Sequence, residues 1–270
     1  MRIALVGPGR AGQSVAIAAR GAGHEIIAVS ARDTEQAVKF GRRFDALPLA
    51  IGEPIPPVDL VIIAVRDDAI ADVADTVAPV ARNAAATAIH LSGATPVSAL
   101  DALATEGIST GSFHPLQTLP DPDRGARALP GAWVAVTAEE PLRSSLHDLA
   151  RSMGCHPFDL EDENRTAYHA AAAASANFPI AALVIAERLL DTVGLPLDAA
   201  KPLVEAIVAN AFTRGPAPSL TGPIARGDTA TVESQMKAVR AAAPELASAF
   251  EAMVDATAAV ASTIVEEEPA

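Results

Sequence analysis

The feature that most constrains the fold is a glycine turn directly after the first predicted strand. Arg2 to Val6 is a short run of aliphatic residues, and a helical pattern runs from Gln13 to Gly21. Between them the chain reads GPGRAG, a G-x-G-x-x-G pattern in strand–turn–helix context, which is typical of dinucleotide binding. The helix N-terminus offers free N–H groups to phosphates. The alternative is a glycine-rich turn without a ligand. The predicted cofactor contacts are Gly7, Gly9, Arg10, Ala11 and Gly12.

The end of the second strand indicates which dinucleotide binds. An NAD site usually has an acidic residue there, on the ribose 2′-hydroxyl, but this chain reads Ser30-Ala31-Arg32 after the strand Ile26 to Val29. A hydroxyl and a guanidinium can bind a 2′-phosphate that a carboxylate would repel. Ser30 and Arg32 therefore predict NADP(H), unless Arg32 is a solvated loop residue. Further cofactor contacts are predicted at Val65, Ser92 and Gly93.

The first half of the chain alternates strands with helices. Val58 to Val65 is an apolar run interrupted only by Asp59, as expected of a strand buried on both faces of a parallel sheet. Further strands are predicted at 88–93, 108–113, 133–136 and 155–158, with a helix over 141–153. The predicted fold class is α/β, with a Rossmann-type, mostly parallel sheet followed by an all-α C-terminal domain. The predicted domains are 1–160 for the dinucleotide and 161–270 for substrate binding and dimerisation.

The second half is helical and rich in small residues. A long helix with Pro179 inside it begins near Glu163, and further helices are predicted at 198–210, 231–242 and 245–265. Proline removes one backbone hydrogen bond from a helix. The alanine run of the long helix permits close helix–helix approach, which favours a homodimer.

Charge and cysteine content restrict the partners. The net charge of −13 argues against a nucleic-acid partner, which needs clustered Lys and Arg. A small anionic substrate can still bind in a local basic pocket. The single cysteine excludes an internal disulfide and fits a reducing compartment. No membrane-spanning stretch, membrane partner or metal site is expected, so the predicted location is cytoplasmic.

The stretch GSFHPLQTL, residues 111–119, ends a predicted strand in a histidine. Ligands of open α/β sheets bind outside the carboxyl ends of the strands, where His114 should lie. Reduction of a carbonyl needs a proton donor for the developing alkoxide, and imidazole suits that task. His114 and His169 are the candidate donors, with His90 third and equally interpretable as a buried core residue. Gln117 and Thr118 would hydrogen-bond a polar substrate or the nicotinamide carboxamide.

The loop SLTGPIARGD, residues 219–228, has two open interpretations. Arg226 can hold a substrate carboxylate in a fork geometry that lysine cannot match. Alternatively, Asp228 caps the next helix and Arg226 pairs with a surface acid.

Together these segments resemble a known family. GPGRAG, VDLVIIAVRDDAI, HLSG, GSFHPLQT, the helix start YHAAAA with Asn177 downstream, and SLTGPIARGD are similar to a bacterial family that joins a Rossmann-like domain to a helical domain of unknown function of the DUF2520 type. That family resembles the 6-phosphogluconate dehydrogenase-like superfamily, which includes ketopantoate and pyrroline-5-carboxylate reductases. The resemblance implies an NADPH-dependent oxidoreductase that reduces a small carbonyl acid such as ketopantoate.

One departure bears on the mechanism. The resemblance implies a lysine proton donor on the first long helix, with an asparagine nearby, but the only lysines are Lys39, Lys201 and Lys237. Asn177 remains a candidate for orienting the substrate, and the proton must come from another group. An imine reductase of the pyrroline-5-carboxylate type and a non-catalytic NADPH-binding sensor or partner protein remain alternatives.

Overall fold

The computed structural model describes residues 1–267. Strands and helices alternate through the first part of the chain, and helices alone follow. The strands are β1 Arg2–Val6, β2 Glu25–Ala31, β3 Leu47–Ala50, β4 Val58–Ile63, β5 Ala85–His90, β6 Ser109–Pro115, β7 Trp133–Ala138 and β8 His156–Asp159. The helices are α1 Arg10–Gly21, α2 Thr34–Phe44, α3 Ile70–Ala81, α4 Asp101–Thr105, α5 Pro122–Ala128, α6 Leu142–Ser152, α7 Arg165–Asp191, α8 Lys201–Arg214, α9 Thr229–Ala242 and α10 Ala247–Glu267.

The strands form one sheet in the order β3-β2-β1-β4-β5-β6-β7-β8. All neighbours pair in parallel except β6 and β7. The predicted fold class is confirmed. Strand order reverses beside β1, so the carboxyl ends of β1 and β4 flank the switch point at which doubly wound sheets bind ligands.

Strand β4 lies at the centre of two apolar layers. Leu60 and Ile62 pack into one layer, and Val61 and Ile63 pack into the other. All four side chains are fully buried. Alternate residues of a strand point to opposite faces, so a segment covered on both sides needs apolar residues at successive positions, as the sequence pattern predicted for Leu60 to Ile63. Asp59, near the start of the strand, is exposed.

Two local expectations were wrong. The sequence analysis did not predict β3, because its four residues include Pro48, which argues against a strand. Proline is tolerated here because β3 is an edge strand of the sheet. Strand β5 ends at His90, whereas the strand was expected to reach Gly93. Leu91 to Gly93 therefore belong to the loop at the carboxyl edge of the sheet.

Met1–Ala172 form one compact unit, and the helices from Ala173 onward form a second. The domain boundary near Leu160 stays a prediction. Helix α7 contains Pro179, as expected. Together with the preceding turn, this helix has the length and composition of a membrane span, with a mean hydropathy of 1.5. By length and composition, the expectation that the chain contains no membrane-spanning stretch was therefore wrong. One such helix is weak support for a membrane location, and the cytoplasmic location stays a prediction.

Candidate active site

The glycine turn has three distinct local environments. Gly7 has a φ of +88°, and a Cβ added there would lie 2.6 Å from Val65 Cγ1. A Cβ at Gly12 would lie 2.7 Å from the Cβ of Ala64. At Gly9 the nearest atom to an added Cβ is 3.7 Å away. The first and third glycines are thus required by packing, whereas the backbone of Gly9 borders open space that a pyrophosphate can approach.

A cleft of about 350 Å³ extends from this turn along the ends of β2 and β4. Helix α1 begins beside it, and Gly9 at its N-cap provides no side-chain acceptor for the first N–H groups. These donors and the open backbone at Gly9 fit a dinucleotide phosphate. The cleft is lined by Gly7, Pro8, Gly9, Ala31, Arg32, Asp33, Gln36, Ile51, Ala64, Val65, Arg66, Ala69 and Val73.

The predicted cofactor residues occupy different places around the cleft. Gly7, Gly9, Arg32 and Val65 line it directly, whereas Arg10, Ala11 and Gly12 form the first turn of α1. Ser30 is buried, and its carbonyl accepts a hydrogen bond of 2.8 Å from the N–H of Gly7. Its backbone therefore holds the glycine turn against β2.

An acidic residue that the sequence interpretation overlooked follows Arg32. The carboxylate of Asp33 accepts a hydrogen bond of 2.9 Å from the N–H of Glu35 and caps helix α2. Asp33 and Arg32 therefore bring opposite charges to the same end of the cleft. Their balance bears on whether a 2′-phosphate is accepted.

His114 lies half-buried at the end of β6, where it contacts Tyr168 of α7. His114 Nδ1 and the Tyr168 hydroxyl are 2.7 Å apart. The imidazole also packs on Gly93, where an added Cβ would lie 2.7 Å from Cε1 of the ring. Gly93 therefore leaves room for the histidine. Sequence reasoning missed Tyr168 because only the fold brings α7 beside the end of β6.

Burial shifts the pKa values of both members of this pair. It is the largest cause that lowers the pKa of His114 to about 4, with His169 and Arg165 acting in the same direction and Asp67 against it. Burial also raises the pKa of Tyr168 to about 12, and the charge of Arg165 opposes that rise. At neutral pH the imidazole and the phenol are therefore both uncharged.

The other two candidate histidines differ in exposure. His169 is exposed, and its ring centroid lies 6.3 Å from that of His114. His90 is fully buried, and its Nδ1 accepts a hydrogen bond of 3.2 Å from the N–H of Ser92. Burial and the charge of Arg165 lower the pKa of His90 to about 4. These contacts favour the core interpretation of His90.

Several predicted residues are engaged in local structure. The Ser92 hydroxyl accepts hydrogen bonds from the N–H groups of Ala94 and Thr95. The side-chain amide of Gln117 donates to the carbonyl of Ala128 at 3.2 Å, and its oxygen accepts from the N–H of Thr118 at 2.8 Å. Gln117 and Thr118 are exposed just beyond β6. Their roles in substrate binding stay predictions.

Two predicted residues lie in the second compact unit. Asn177 is exposed on α7, and Arg226 is exposed between α8 and α9. Asp228 caps α9 by accepting a hydrogen bond of 3.1 Å from the N–H of Thr231, as one interpretation of the loop predicted. The cap is compatible with a substrate role for Arg226, which stays a prediction.

Family models match most of the chain. A Rossmann-like domain matches residues 1–115, and a domain of unknown function, DUF2520, matches residues 132–257. The predicted resemblance to a Rossmann-like domain joined to a DUF2520 domain is confirmed, whereas the resemblance to ketopantoate reductases stays a prediction. The chain joins a Rossmann-like domain to a DUF2520 domain. A comparison with curated proteins found no match.

Solved structures share the fold over nearly the whole chain. A Bacteroides fragilis protein described as an NADP oxidoreductase is 22% identical with a TM-score of 0.82, covering 95% of this chain and 97% of that one. A reductive aminase from Aspergillus terreus, solved with NADPH and ethyl levulinate, is 15% identical with a TM-score of 0.69, covering 99% of each chain. Pyrroline-5-carboxylate reductase from Streptococcus pyogenes is 20% identical with a TM-score of 0.57, covering 96% of this chain and 98% of that one.

Proposed function

We propose that the protein is an NADPH-dependent oxidoreductase that reduces a small carbonyl or imine acid. The observation that carries this proposal is the contact of 2.7 Å between His114 and Tyr168. It lies at the carboxyl edge of the sheet that also forms the glycine-lined cleft. A proton donor and a dinucleotide site at the same edge are the two parts that a hydride-transfer enzyme requires.

The residues of the cleft would hold the cofactor. The backbone at Gly9 and the first N–H groups of α1 would bind the pyrophosphate, and Arg32 would bind the 2′-phosphate. Bound NADPH would supply the hydride. The likeness in fold to an NADP oxidoreductase and to a reductive aminase solved with NADPH supports this choice of cofactor.

Tyr168 would deliver the proton. When the proton of the neutral imidazole is on Nδ1, His114 donates to the Tyr168 oxygen and leaves the phenolic proton free for a substrate oxygen or nitrogen. After transfer, the same N–H stabilises the phenolate. Because an alkoxide is a much stronger base than a phenolate, a phenol with a raised pKa can still protonate it. Tyr168 would thus take the place of the lysine that the family resemblance implied.

Two substrate classes follow from this chemistry. Ketopantoate is the first candidate, on the family resemblance, and a cyclic imine acid such as pyrroline-5-carboxylate is the second. The likeness in fold to pyrroline-5-carboxylate reductase supports testing the imine in parallel. His169, Asn177, Gln117, Thr118 and Arg226 remain proposed substrate contacts.

The direct test mixes the purified protein with NADPH and either ketopantoate or pyrroline-5-carboxylate and follows loss of the reduced cofactor. Turnover of one substrate is expected and chooses between carbonyl and imine chemistry. Tight NADPH binding without turnover of either compound, or of other small keto and imine acids, would instead support a non-catalytic sensor.

Cofactor choice should depend on the charges at Arg32 and Asp33. We expect Arg32→Asp to lower the ratio of NADPH to NADH affinity about tenfold or more, since it replaces a phosphate ligand by a repelling charge. Asp33→Asn is the matched variant, because asparagine also caps helices but carries no charge. It should raise NADPH affinity and leave NADH affinity nearly unchanged. Fluorescence titration measures both, and an unchanged ratio in Arg32→Asp would refute the assignment of the 2′-phosphate site.

We also propose a homodimer formed through the second compact unit. Several large apolar side chains of α7 and α8 are exposed, among them Phe178, Leu203 and Phe212, the last of these by 90%. Apolar surface of this extent marks an interaction site in a water-soluble protein. The partner we infer is a second copy of the chain.

The dimer predicts a specific response to polar substitution. Light scattering after size exclusion should give about twice the chain mass of 27.5 kDa for the wild type. The double variant Leu203→Ser, Phe212→Ser should lower that mass towards one chain, because it removes apolar area from the contact. Leu47→Ser is the matched control, since Leu47 is an exposed leucine on the sheet edge. A monomeric wild type would contradict the dimer.

A further inference from the structure

A buried arginine lies behind the His114–Tyr168 pair. The side chain of Arg165 is 2% exposed, and it bonds to Asp162 through Nε. Its other nitrogens contact the carbonyl of Ser92 at 3.4 Å, the hydroxyl of Ser112, and the hydroxyl of Thr137 at 2.7 Å. The carboxylate of Asp162 is partly exposed, so solvent screens its attraction to the buried guanidinium of Arg165.

The energy of this arrangement calls for an explanation beyond stability. Burying a charge costs several kcal/mol, and replacing a buried ion pair with apolar residues is often neutral or stabilising. A helix start could be anchored to a sheet without a cation. The position of the charge beside two titratable groups provides a reason for retaining it.

The connections of Arg165 lead to both members of the pair. Arg165 and Tyr168 are three residues apart on α7, so they share one face of the helix. Ser112 and His114 alternate on β6 and point to the same face of the sheet. A single guanidinium therefore fixes the helix that carries Tyr168 against the strand that carries His114.

The charge also acts on the protonation of the pair. It disfavours the imidazolium form of His114 and favours the phenolate form of Tyr168. The other groups that influence His114 are the neighbouring histidines His169 and His90, and Asp67, which acts in the opposite direction. The effect of Arg165 on Tyr168 favours release of the phenolic proton to a substrate.

We propose that Arg165 is a positioning residue that holds Tyr168 against His114 and places a positive charge beside the pair. The assignment of a catalytic purpose rests on the proposed reductase function. The positioning itself is a property of the folded protein and can be measured without a substrate.

The test compares Arg165→Met with Arg165→Lys. Arg165→Met removes the charge, so the pKa of His114 in an NMR titration of the histidine rings should rise by about one pH unit from its value of about 4. The acidic limb of the kcat profile should move by the same amount to higher pH. Arg165→Lys keeps a cation but cannot make the several directed hydrogen bonds of the guanidinium. We therefore expect kcat to fall about tenfold, with little movement of the acidic limb of the kcat profile.

The readouts separate the possible failures. An unchanged pKa of His114 in folded Arg165→Met would overturn the proposal, because a purely structural role would lower stability without moving the titration. If Arg165→Met does not fold, Thr137→Val and Ser112→Ala each remove one bond to Arg165 and keep the charge. Thr137→Val also removes the bond that the Thr137 hydroxyl donates to the carbonyl of Leu160. Each should lower kcat severalfold at an unchanged NADPH affinity, and an unchanged kcat in both would overturn the proposal. Absence of turnover in the wild type, with the NMR shift present in Arg165→Met, would refute the reductase and leave the positioning intact.

Discussion

Tyr168→Phe is expected to lower kcat by about a hundredfold or more, because it removes the proton donor while keeping the aromatic ring. The ring packs against Phe158 and His114, with centroids 5.9 Å and 5.4 Å apart, so phenylalanine should maintain these contacts. NADPH affinity should stay within about twofold, since the hydroxyl does not line the cofactor cleft. Steady-state kinetics and fluorescence titration measure the two quantities on the same sample.

His114→Ala and His169→Ala extend this experiment. His114→Ala should lower kcat strongly, because it removes the group that orients the Tyr168 hydroxyl, and it should leave NADPH binding nearly intact. His169→Ala should lower kcat less than His114→Ala does, since within the part of the chain that the structure describes the exposed imidazole of His169 makes no hydrogen bond to Tyr168, and its ring centroid lies 6.3 Å from that of His114. Full activity of both Tyr168→Phe and His114→Ala would show that the proton comes from elsewhere.

The second large effect is expected at the glycine turn. Gly9→Ala should weaken NADPH binding about tenfold or more, because the new methyl group enters the space that the pyrophosphate must approach. The fold should tolerate it. Gly9 has φ −72° and ψ −177°, a conformation open to alanine, and the nearest atom to the added carbon would be 3.7 Å away.

Gly12→Ala is the matched variant with the opposite expected result. Its added carbon would lie 2.7 Å from the Cβ of Ala64 and 2.8 Å from the carbonyl oxygen of Gly7. Such overpacking costs about 1–3 kcal/mol of unfolding free energy. Thermal unfolding should therefore separate the two variants, with a clear loss of Tm only in Gly12→Ala. Unchanged NADPH affinity in a stable Gly9→Ala variant would contradict the pyrophosphate site.

The sequence predicts the sheet well because its signals are local. The glycine turn and the apolar run of β4 each depend on neighbouring residues and on burial, which are readable from residue type. Strand β3 was missed because it is short and two of its four residues are exposed, so it has little apolar pattern, and Pro48 weakens that pattern further. The end of β5 was placed too late because an apolar residue, Leu91, continues the pattern into the loop.

The candidate site was only partly predictable. His114 could be placed at a strand end from its neighbours, but its partner Tyr168 is 54 residues away along the chain. Arg165 has no local sign of burial, since an arginine at a helix start is ordinarily solvated. Contacts between residues of distant segments arise from tertiary packing, so they cannot be predicted from the spacing of apolar residues along the sequence. Asp33 was overlooked because the argument for the 2′-phosphate stopped at the preceding arginine.

The most direct measurement is label transfer from NADPH carrying deuterium at the transferable C4 position, with ketopantoate and pyrroline-5-carboxylate in parallel reactions. Mass spectrometry of the product should show one deuterium bound to carbon in one of the two reactions, with Tyr168→Phe forming that product far more slowly. Binding of NADPH with no label in either product, under conditions where the wild type is folded and saturated with cofactor, would contradict hydride transfer to these acids at this site.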